Sequence, residues 1–216
     1  EGVKAFDPEN KLIYMTGPTT GTGIPSGGRT VFTSISPNSL PEQYSWSGMG
    51  GWFGSELKFA GYDGLIIEGQ ADEPTYVYIE DEKVEFLSAE KIWGQYVHET
   101  QEMLEEIHGR YVKSFVIGPA GENLIRISSI TTANDNAAAK SGFGAVMGSK
   151  KLKAVTVRGT GAIKPADIDH LLKLRRTMNT PPMRLNPIQH MDKCEAGANI
   201  QLPVEGGLKQ IMQLWM

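Results

Sequence analysis

Short apolar runs separated by glycine-rich polar loops fill the first part of the chain. Residues 10–16, 29–36 and 63–69 each carry bulky apolar or β-branched residues and stop at glycine or proline. Runs of about four to eight such residues are typical of β-strands. Residues 52–60 predict one short helix. Residues 37–47 lack a clear period and are predicted to be irregular.

A hairpin and a longer helix follow. Residues 75–79 and 83–87 are apolar runs on either side of an acidic turn, and they predict a β-hairpin. Residues 96–108 place apolar side chains on one side of a helix, and Gly109 stands where that helix ends. Residues 114–117 predict another strand.

The order of these elements occurs twice. In each pass a strand reaches a Gly-Pro pair, and a second strand, a glycine loop, a short helix and a third strand follow. The second pass has a predicted loop at 120–123, strands at 124–130 and 154–158, and a glycine loop at 142–144; the first-pass glycine loop is 48–51. We predict an internal duplication whose halves, related by a pseudo-twofold, place their glycine loops on one face. The predicted fold class is α+β, with two mixed β-sheets and short helices.

The pattern changes after Gly161. Pro165 suits the first turn of a helix that runs through Leu174, and residues 180–182 are predicted to break that helix. A weak amphipathic segment at 208–215 closes the sequence. We therefore predict two domains, residues 1–161 and residues 162–216, the second being the start of a mainly helical domain or an irregular tail.

Composition narrows the function classes. The net charge of −4 and the pI of about 5.6 argue against a nucleic-acid partner. The single cysteine, Cys194, forms no internal disulfide and supplies no thiolate set for a cluster, which favours a cytoplasmic setting. No apolar stretch approaches the roughly 20 residues of a membrane span. The sequence does not begin with Met, so we expect a fragment or a processed form.

Most familiar catalytic patterns are missing from the sequence. Its histidines have no ligand-like spacing, and no Gly-x-Ser-x-Gly elbow occurs. Glu56 and Glu122 are either catalytic carboxylates or, respectively, the polar side of a helix and a turn cap. Cys194 is expected to be an inert thiol. No catalytic residue is assigned.

What remains is a set of groups suited to an anion. Two glycine loops allow a close approach of the backbone, and Arg29 and Lys140 stand near them in sequence. Neither a Walker sequence nor Gly-x-Gly-x-x-Gly after a strand is present. The sequence thus predicts a phosphorylated ligand that is not an ordinary nucleotide.

Five segments carry a resemblance to one known family. They are Asp7-Pro-Glu-Asn-Lys-Leu-Ile13, Gly17-Pro-Thr-Thr-Gly-Thr22 leading to Gly27-Gly-Arg29, Gly50-Gly-Trp-Phe-Gly-Ser-Glu-Leu-Lys-Phe-Ala-Gly-Tyr-Asp63, Gly118-Pro-Ala-Gly-Glu-Asn123 and Gly142-Phe-Gly-Ala-Val-Met-Gly-Ser-Lys-Lys-Leu-Lys153. Over most of residues 6–161 the chain resembles the N-terminal domain of the tungsten-containing aldehyde:ferredoxin oxidoreductase family. The resemblance implies a base for a tungsten or molybdenum bis-pterin cofactor and implies that the first strands of this domain are missing here.

The resemblance also implies roles for particular residues. Arg29 is expected to bind a pterin phosphate, and main-chain groups of Gly48 and Ala137 are expected to bind a magnesium ion that bridges the phosphates. Family arginines of the second loop fall at Asn136 and Lys140 here, and a common asparagine of the first loop falls at about Gly48. The full set of expected cofactor-binding residues is Arg29, Gly48, Met49, Gly50, Gly51, Asn136, Ala137, Ala138, Lys140 and Gly142.

The implied chemistry is the oxidation of an aldehyde to a carboxylic acid, with electrons leaving through a [4Fe–4S] cluster to ferredoxin. The cluster is expected outside this chain, on further domains or on a catalytic subunit of an oligomer. Two alternatives stay open: a tungsten-dependent aromatic acyl-CoA reductase subunit, and a non-catalytic pterin-binding or assembly subunit.

Overall fold

A computed structural model of the protein describes residues 2–132 and 136–178. Alternation of buried and half-buried residues, such as Thr30 to Ser36, produces strands with one face in the core. The strands are β1 (Leu12–Met15), β2 (Thr30–Ser36), β3 (Gln43–Met49), β4 (Gly64–Ile67), β5 (Thr75–Glu80), β6 (Lys83–Ser88), β7 (Lys113–Val116), β8 (Ile130–Thr132), β9 (Ala137–Ala138) and β10 (Leu152–Arg158). The helices are α1 (Phe53–Phe59), α2 (Val97–His108), α3 (Pro119–Glu122), α4 (Phe143–Ser149) and α5 (Ile168–Met178).

The strands form two sheets with a repeated topology. The first sheet has the order β3-β2-β1-β4 and is antiparallel throughout. The second has the order β6-β5-β10-β7-β8-β9, and it is mixed because β5 and β10 are parallel. Four of its strands, in the order β9-β8-β7-β10, repeat the order and the antiparallel pairing of the first sheet. The α+β class and the internal duplication are therefore confirmed, and the β5–β6 hairpin is an addition to the second half.

The two halves share one core. Helix α1 of the first half packs on β7 and β10 of the second, and α4 of the second packs on β1 and β2 of the first. Rings from both halves meet at the centre, where Phe53 and Phe115 have centroids 4.5 Å apart and Tyr14 and Phe32 have centroids 4.8 Å apart. All seven residues of α4 are buried, which suits its apolar and small side chains. The shared core fixes the position of one half against the other.

Three sequence predictions are wrong. Residues 43–47, predicted to be irregular, and residues 48 and 49, predicted to open a glycine loop, form β3 and pair with β2 from Thr30 to Ser36. Residues 120–123, predicted to be a loop, largely fall in α3. The strand predicted at 124–130 is reduced to β8, because Leu124 takes a φ of 57° and the chain turns there before it rejoins the sheet at Ile130.

The chain divides after Pro165 into two compact units. In the described part of the second unit, α5 begins at Ile168, three residues after the predicted Pro165, and the Asp167 carboxylate accepts the amide hydrogen of His170 at 2.8 Å. The predictions for residues 180–216 lie outside the described residues, and the domain limits at 161 and 162 stay predictions. Of the helices in residues 2–132 and 136–178, none has the length and apolar character needed to cross a bilayer.

Candidate functional site

The first predicted glycine segment, residues 48–51, meets a second segment, residues 136–141, where the edges of the two sheets adjoin, whereas the predicted glycine loop at 142–144 lies at the start of α4. Strand β3 is an edge of the first sheet, β9 is an edge of the second, and the two strands are in contact. A Cβ added to Gly50 would lie 2.7 Å from Oδ1 of Asn136. Gly51 has a φ of 88°, and a Cβ there would lie 2.8 Å from Oγ1 of Thr132. Glycine at both positions lets the segments approach this closely.

Hydrogen bonds fix the second segment against the first sheet. The amide of Lys140 donates to the Ser47 hydroxyl at 3.1 Å, and the hydroxyls of Ser45 and Ser141 are 2.6 Å apart. The Ser36 hydroxyl donates to the carbonyl of Ser141 at 2.8 Å. These contacts join residues about a hundred positions apart in sequence, so the arrangement exists only in the folded chain.

Two exposed cations flank the meeting point. Arg29 lies beside Gly48, where an added Cβ would be 3.2 Å from the arginine Nε. Lys140 extends its Nζ to 5.9 Å from the ring centroid of Trp46. Among residues 2–132 and 136–178, no carboxylate lies within ion-pair distance of either cation. Their charge is thus available to an anion.

The structure places the predicted site residues unequally. Gly48, Gly50, Gly51 and Lys140 lie at or beside the meeting point, as does Asn136. Ala137 and Ala138 form β9 and pair with Thr131 and Ile130.

Two of the predicted residues have other surroundings. The side chain of Met49 is fully buried in the core, and its carbonyl accepts the Thr30 hydroxyl at 3.2 Å. Gly142 lies against Arg126, since an added Cβ would be 1.8 Å from the Arg126 carbonyl oxygen. Gly142 therefore serves the entry to α4, where its φ of 65° lies in the left-handed region that favours glycine.

Glu56 and Glu122, the two glutamates that the sequence offers as possible catalytic carboxylates, both have structural partners. Glu56 accepts from the Arg158 guanidinium at 2.7 Å and from the Gly159 amide at 3.0 Å. Glu122 accepts from the Gly94 amide and from Lys153, whose side chain is fully buried. Burial lowers the pKa of Lys153 despite the carboxylate beside it. The satisfied hydrogen bonds favour a structural role for both glutamates.

Sequence reasoning missed the side chains of β3 and Ser141. Tyr44 and Trp46 are exposed and lie two positions apart, an alternation that signals a strand with one open face. Ser141 has a φ of 72°, a conformation that a serine does not announce in sequence. An apolar cavity of about 430 Å³ lies elsewhere, lined by residues of β4, β5, β6 and β10 and by none of the predicted site residues.

Comparison with known proteins shows the family to which this chain is similar. The family model described as aldehyde ferredoxin oxidoreductase, N-terminal domain, matches residues 1–159. Two curated relatives, both named tungsten-containing aldehyde ferredoxin oxidoreductase, are 47% identical in Pyrococcus horikoshii and 48% identical in Pyrococcus abyssi. Each match covers 81% of this chain and 28% of the relative, so the chain spans little more than a quarter of their length.

One solved structure is also similar. The active site complex BamBC of benzoyl coenzyme A reductase, in complex with 1,5-dienoyl-CoA, has a chain with a TM-score of 0.79 and 34% identity. That match covers 93% of this chain and 29% of the other.

Proposed function

This chain belongs to the aldehyde ferredoxin oxidoreductase family, and we propose that it forms the base that holds a tungsten or molybdenum bis-pterin cofactor by its phosphates. The observation that carries the proposal is the meeting of glycine segment 48–51 with segment 136–141 beside two exposed cations. Arg29 and Lys140 have no carboxylate partner in the described part of the chain, although Arg126, Lys153 and Arg158 each have one. An anionic ligand supplies the missing countercharge.

The residues present fit a ligand with two phosphate groups. Arg29 offers a planar fork of N–H donors to one phosphate, and Lys140 offers a point charge to the other. Magnesium prefers oxygen ligands, and main-chain carbonyls of Gly48 and Ala137 are proposed to bind a magnesium ion between the phosphates. Because the proposed magnesium binding uses the backbone, it does not depend on the side chains of Asn136 and Lys140, which stand where the family has arginines.

The cofactor, when bound, supplies two-electron redox chemistry at its metal. This chain then binds and orients it, and no residue of the chain is assigned a catalytic role. A [4Fe–4S] cluster requires four ligands, usually thiolates, and this sequence has one cysteine. We therefore assign the cluster to further domains or to a catalytic subunit of an oligomer, with ferredoxin or an electron-transfer subunit as the next carrier.

The proposed reaction is the oxidation of an aldehyde to a carboxylic acid in the cytoplasm. It is supported by the names of the curated relatives, which are more similar in sequence than the benzoyl coenzyme A reductase chain is. Reduction of an aromatic acyl-CoA is the second candidate, favoured by the structural match over 93% of this chain. Two assays separate the candidates. The first candidate predicts that an aldehyde reduces ferredoxin, and the second predicts that an aryl-CoA is dearomatised.

The test is the composition of the protein purified from cells supplied with both tungstate and molybdate. We expect stoichiometric tungsten or molybdenum, and we expect pterin, which is measured by its fluorescence after oxidation. Arg29→Ala is expected to lower the pterin content, because one phosphate loses its guanidinium. Arg110→Ala is the matched control, since Arg110 is also exposed but follows α2 and touches the Tyr111 hydroxyl.

Equal pterin content in the two variants contradicts a phosphate role for Arg29. Absence of both metals and pterin from the wild-type protein contradicts the cofactor base itself.

A further inference from the structure

We propose that Ser141 is a positioning residue that fixes segment 136–140 against β3 and thereby sets how tightly the proposed site holds its phosphorylated ligand. The inference rests on the proposed function, since it names the residues that shape that site. Ser141 lies between the predicted ligand Lys140 and the structural Gly142.

Three contacts hold Ser141 in place. Its hydroxyl lies 2.6 Å from the Ser45 hydroxyl and 3.3 Å from the carbonyl oxygen of Trp46. Its own carbonyl accepts the Ser36 hydroxyl at 2.8 Å. Both strands β2 and β3 of the first sheet thus bind a residue that belongs to the second half of the chain.

The backbone of Ser141 shows what the hydroxyl contributes. Its φ of 72° lies in the left-handed region, which glycine adopts readily and other residues rarely adopt. A glycine at 141 removes this strain but also removes both contacts of the hydroxyl. Serine at position 141 thus adopts the left-handed conformation of this turn and, unlike glycine, also attaches the turn to β3.

The attachment acts on Lys140. The Lys140 amide donates to the buried Ser47 hydroxyl at 3.1 Å, and the next residue is held by Ser45 and Ser36. The lysine side chain therefore leaves the backbone from a point fixed on both sides, and its Nζ rests over the ring of Trp46. Because its backbone is already fixed, Lys140 loses less conformational entropy when it binds a phosphate.

The test uses the purified protein with limiting cofactor supply, and it compares pterin per folded protein. We expect Ser141→Ala and Ser141→Gly to lower the content by at least about five-fold, because two hydroxyl contacts are lost and about 1 kcal/mol for a single hydrogen bond already corresponds to that factor. We also expect faster hydrogen exchange at the Lys140 amide in both variants. Ser114→Ala is the matched control, since it removes a buried hydroxyl pair with Thr156 at 2.9 Å, between β7 and β10.

A second pair of variants separates positioning from general stability. Ser45→Thr keeps the hydroxyl on a strand that accepts β-branched residues, whereas Ser45→Val replaces it with a methyl group of the same shape. We expect Thr to restore the wild-type content and Val to behave as Ser141→Ala does. This pair of Ser45 variants also tests the positioning role if the Ser141 variants fail to fold.

The outcomes separate the two claims. Wild-type pterin content in Ser141→Ala, a loss no larger than in Ser114→Ala, or equal behaviour of Ser45→Thr and Ser45→Val overturns the positioning role while the cofactor base stands. A wild-type protein without pterin overturns the proposed function and this inference together.

Discussion

The same substitution at two lysines is expected to have opposite consequences, because one lysine is paired in the core and the other faces solvent. Lys153 is fully buried, donates to the Gln95 carbonyl at 2.8 Å and pairs with Glu122, whose side chain is only 5% exposed. Lys153→Met fills the same space but leaves the Glu122 carboxylate without its cation. Removal of one partner from a buried ion pair costs about 3–5 kcal/mol.

Lys140→Met removes a charge that no carboxylate balances among residues 2–132 and 136–178, and its side chain is exposed. A surface substitution of this kind changes the free energy of unfolding by about 0.5 kcal/mol or less. Its expected effect is instead on pterin content, which falls because a phosphate loses a cation. Whether a lysine is buried thus predicts whether its substitution lowers the free energy of unfolding or the pterin content.

Equilibrium urea unfolding of the two variants measures the difference. The double variant Lys153→Met with Glu122→Gln is expected to lose less stability than the sum of its single variants, because the carboxylate left unpaired by the first change is neutral in the second. A loss below about 1 kcal/mol for Lys153→Met refutes the reasoning, since it means that water or another group satisfies Glu122.

Two further predictions concern stability. Burial lowers the pKa of His108, although Glu85 and Glu80 oppose the shift, and the ring stacks on Tyr78 with centroids 3.9 Å apart and shares a hydrogen bond of 3.0 Å with the Tyr76 hydroxyl. The stability that the neutral ring provides is therefore present above pH 6.5 and is lost as the pH falls through the lowered pKa. We expect the thermal unfolding of His108→Gln to lack this pH dependence. Gly148→Ala places a Cβ 2.0 Å from the Gly121 carbonyl oxygen and is expected to lower the free energy of unfolding by about 3 kcal/mol. Gly118→Ala, whose nearest neighbour is a Val97 methyl at 3.4 Å, should cost far less. A loss for Gly148→Ala as small as that for Gly118→Ala in urea unfolding would show that α3 and α4 can separate at low cost.

The sequence predicts the repeat and the family but not the contacts that shape the site. The glycines at 50, 51 and 142 announce close approaches, because glycine alone supplies the conformations and the space that those positions need. Strand β3 is hard to predict, since its pattern is limited to the alternation of Tyr44 and Trp46 with serines and its pairing with β2 is made by the backbone.

The opposite error occurs at residues 124–127. Leu124, Ile125 and Ile127 read as a strand, yet they are 39%, 49% and 70% exposed after the turn that follows α3. Apolar composition cannot separate a buried strand from an exposed turn without the tertiary contacts.

The duplication explains why binding at this site is expected to depend on the backbone. Each half ends its sheet with the third strand, β3 in one and β9 in the other, and an edge strand leaves main-chain groups without sheet partners. The packing of each short helix on the other half's sheet brings these two edges together. The topology thus places main-chain groups of both edges beside the proposed site, whatever the side chains are. The magnesium contacts proposed for Gly48 and Ala137 therefore do not depend on side-chain identity, whereas the phosphate contacts proposed for Arg29 and Lys140 do. Gly50 and Gly51 cannot change without moving Asn136 or Thr132.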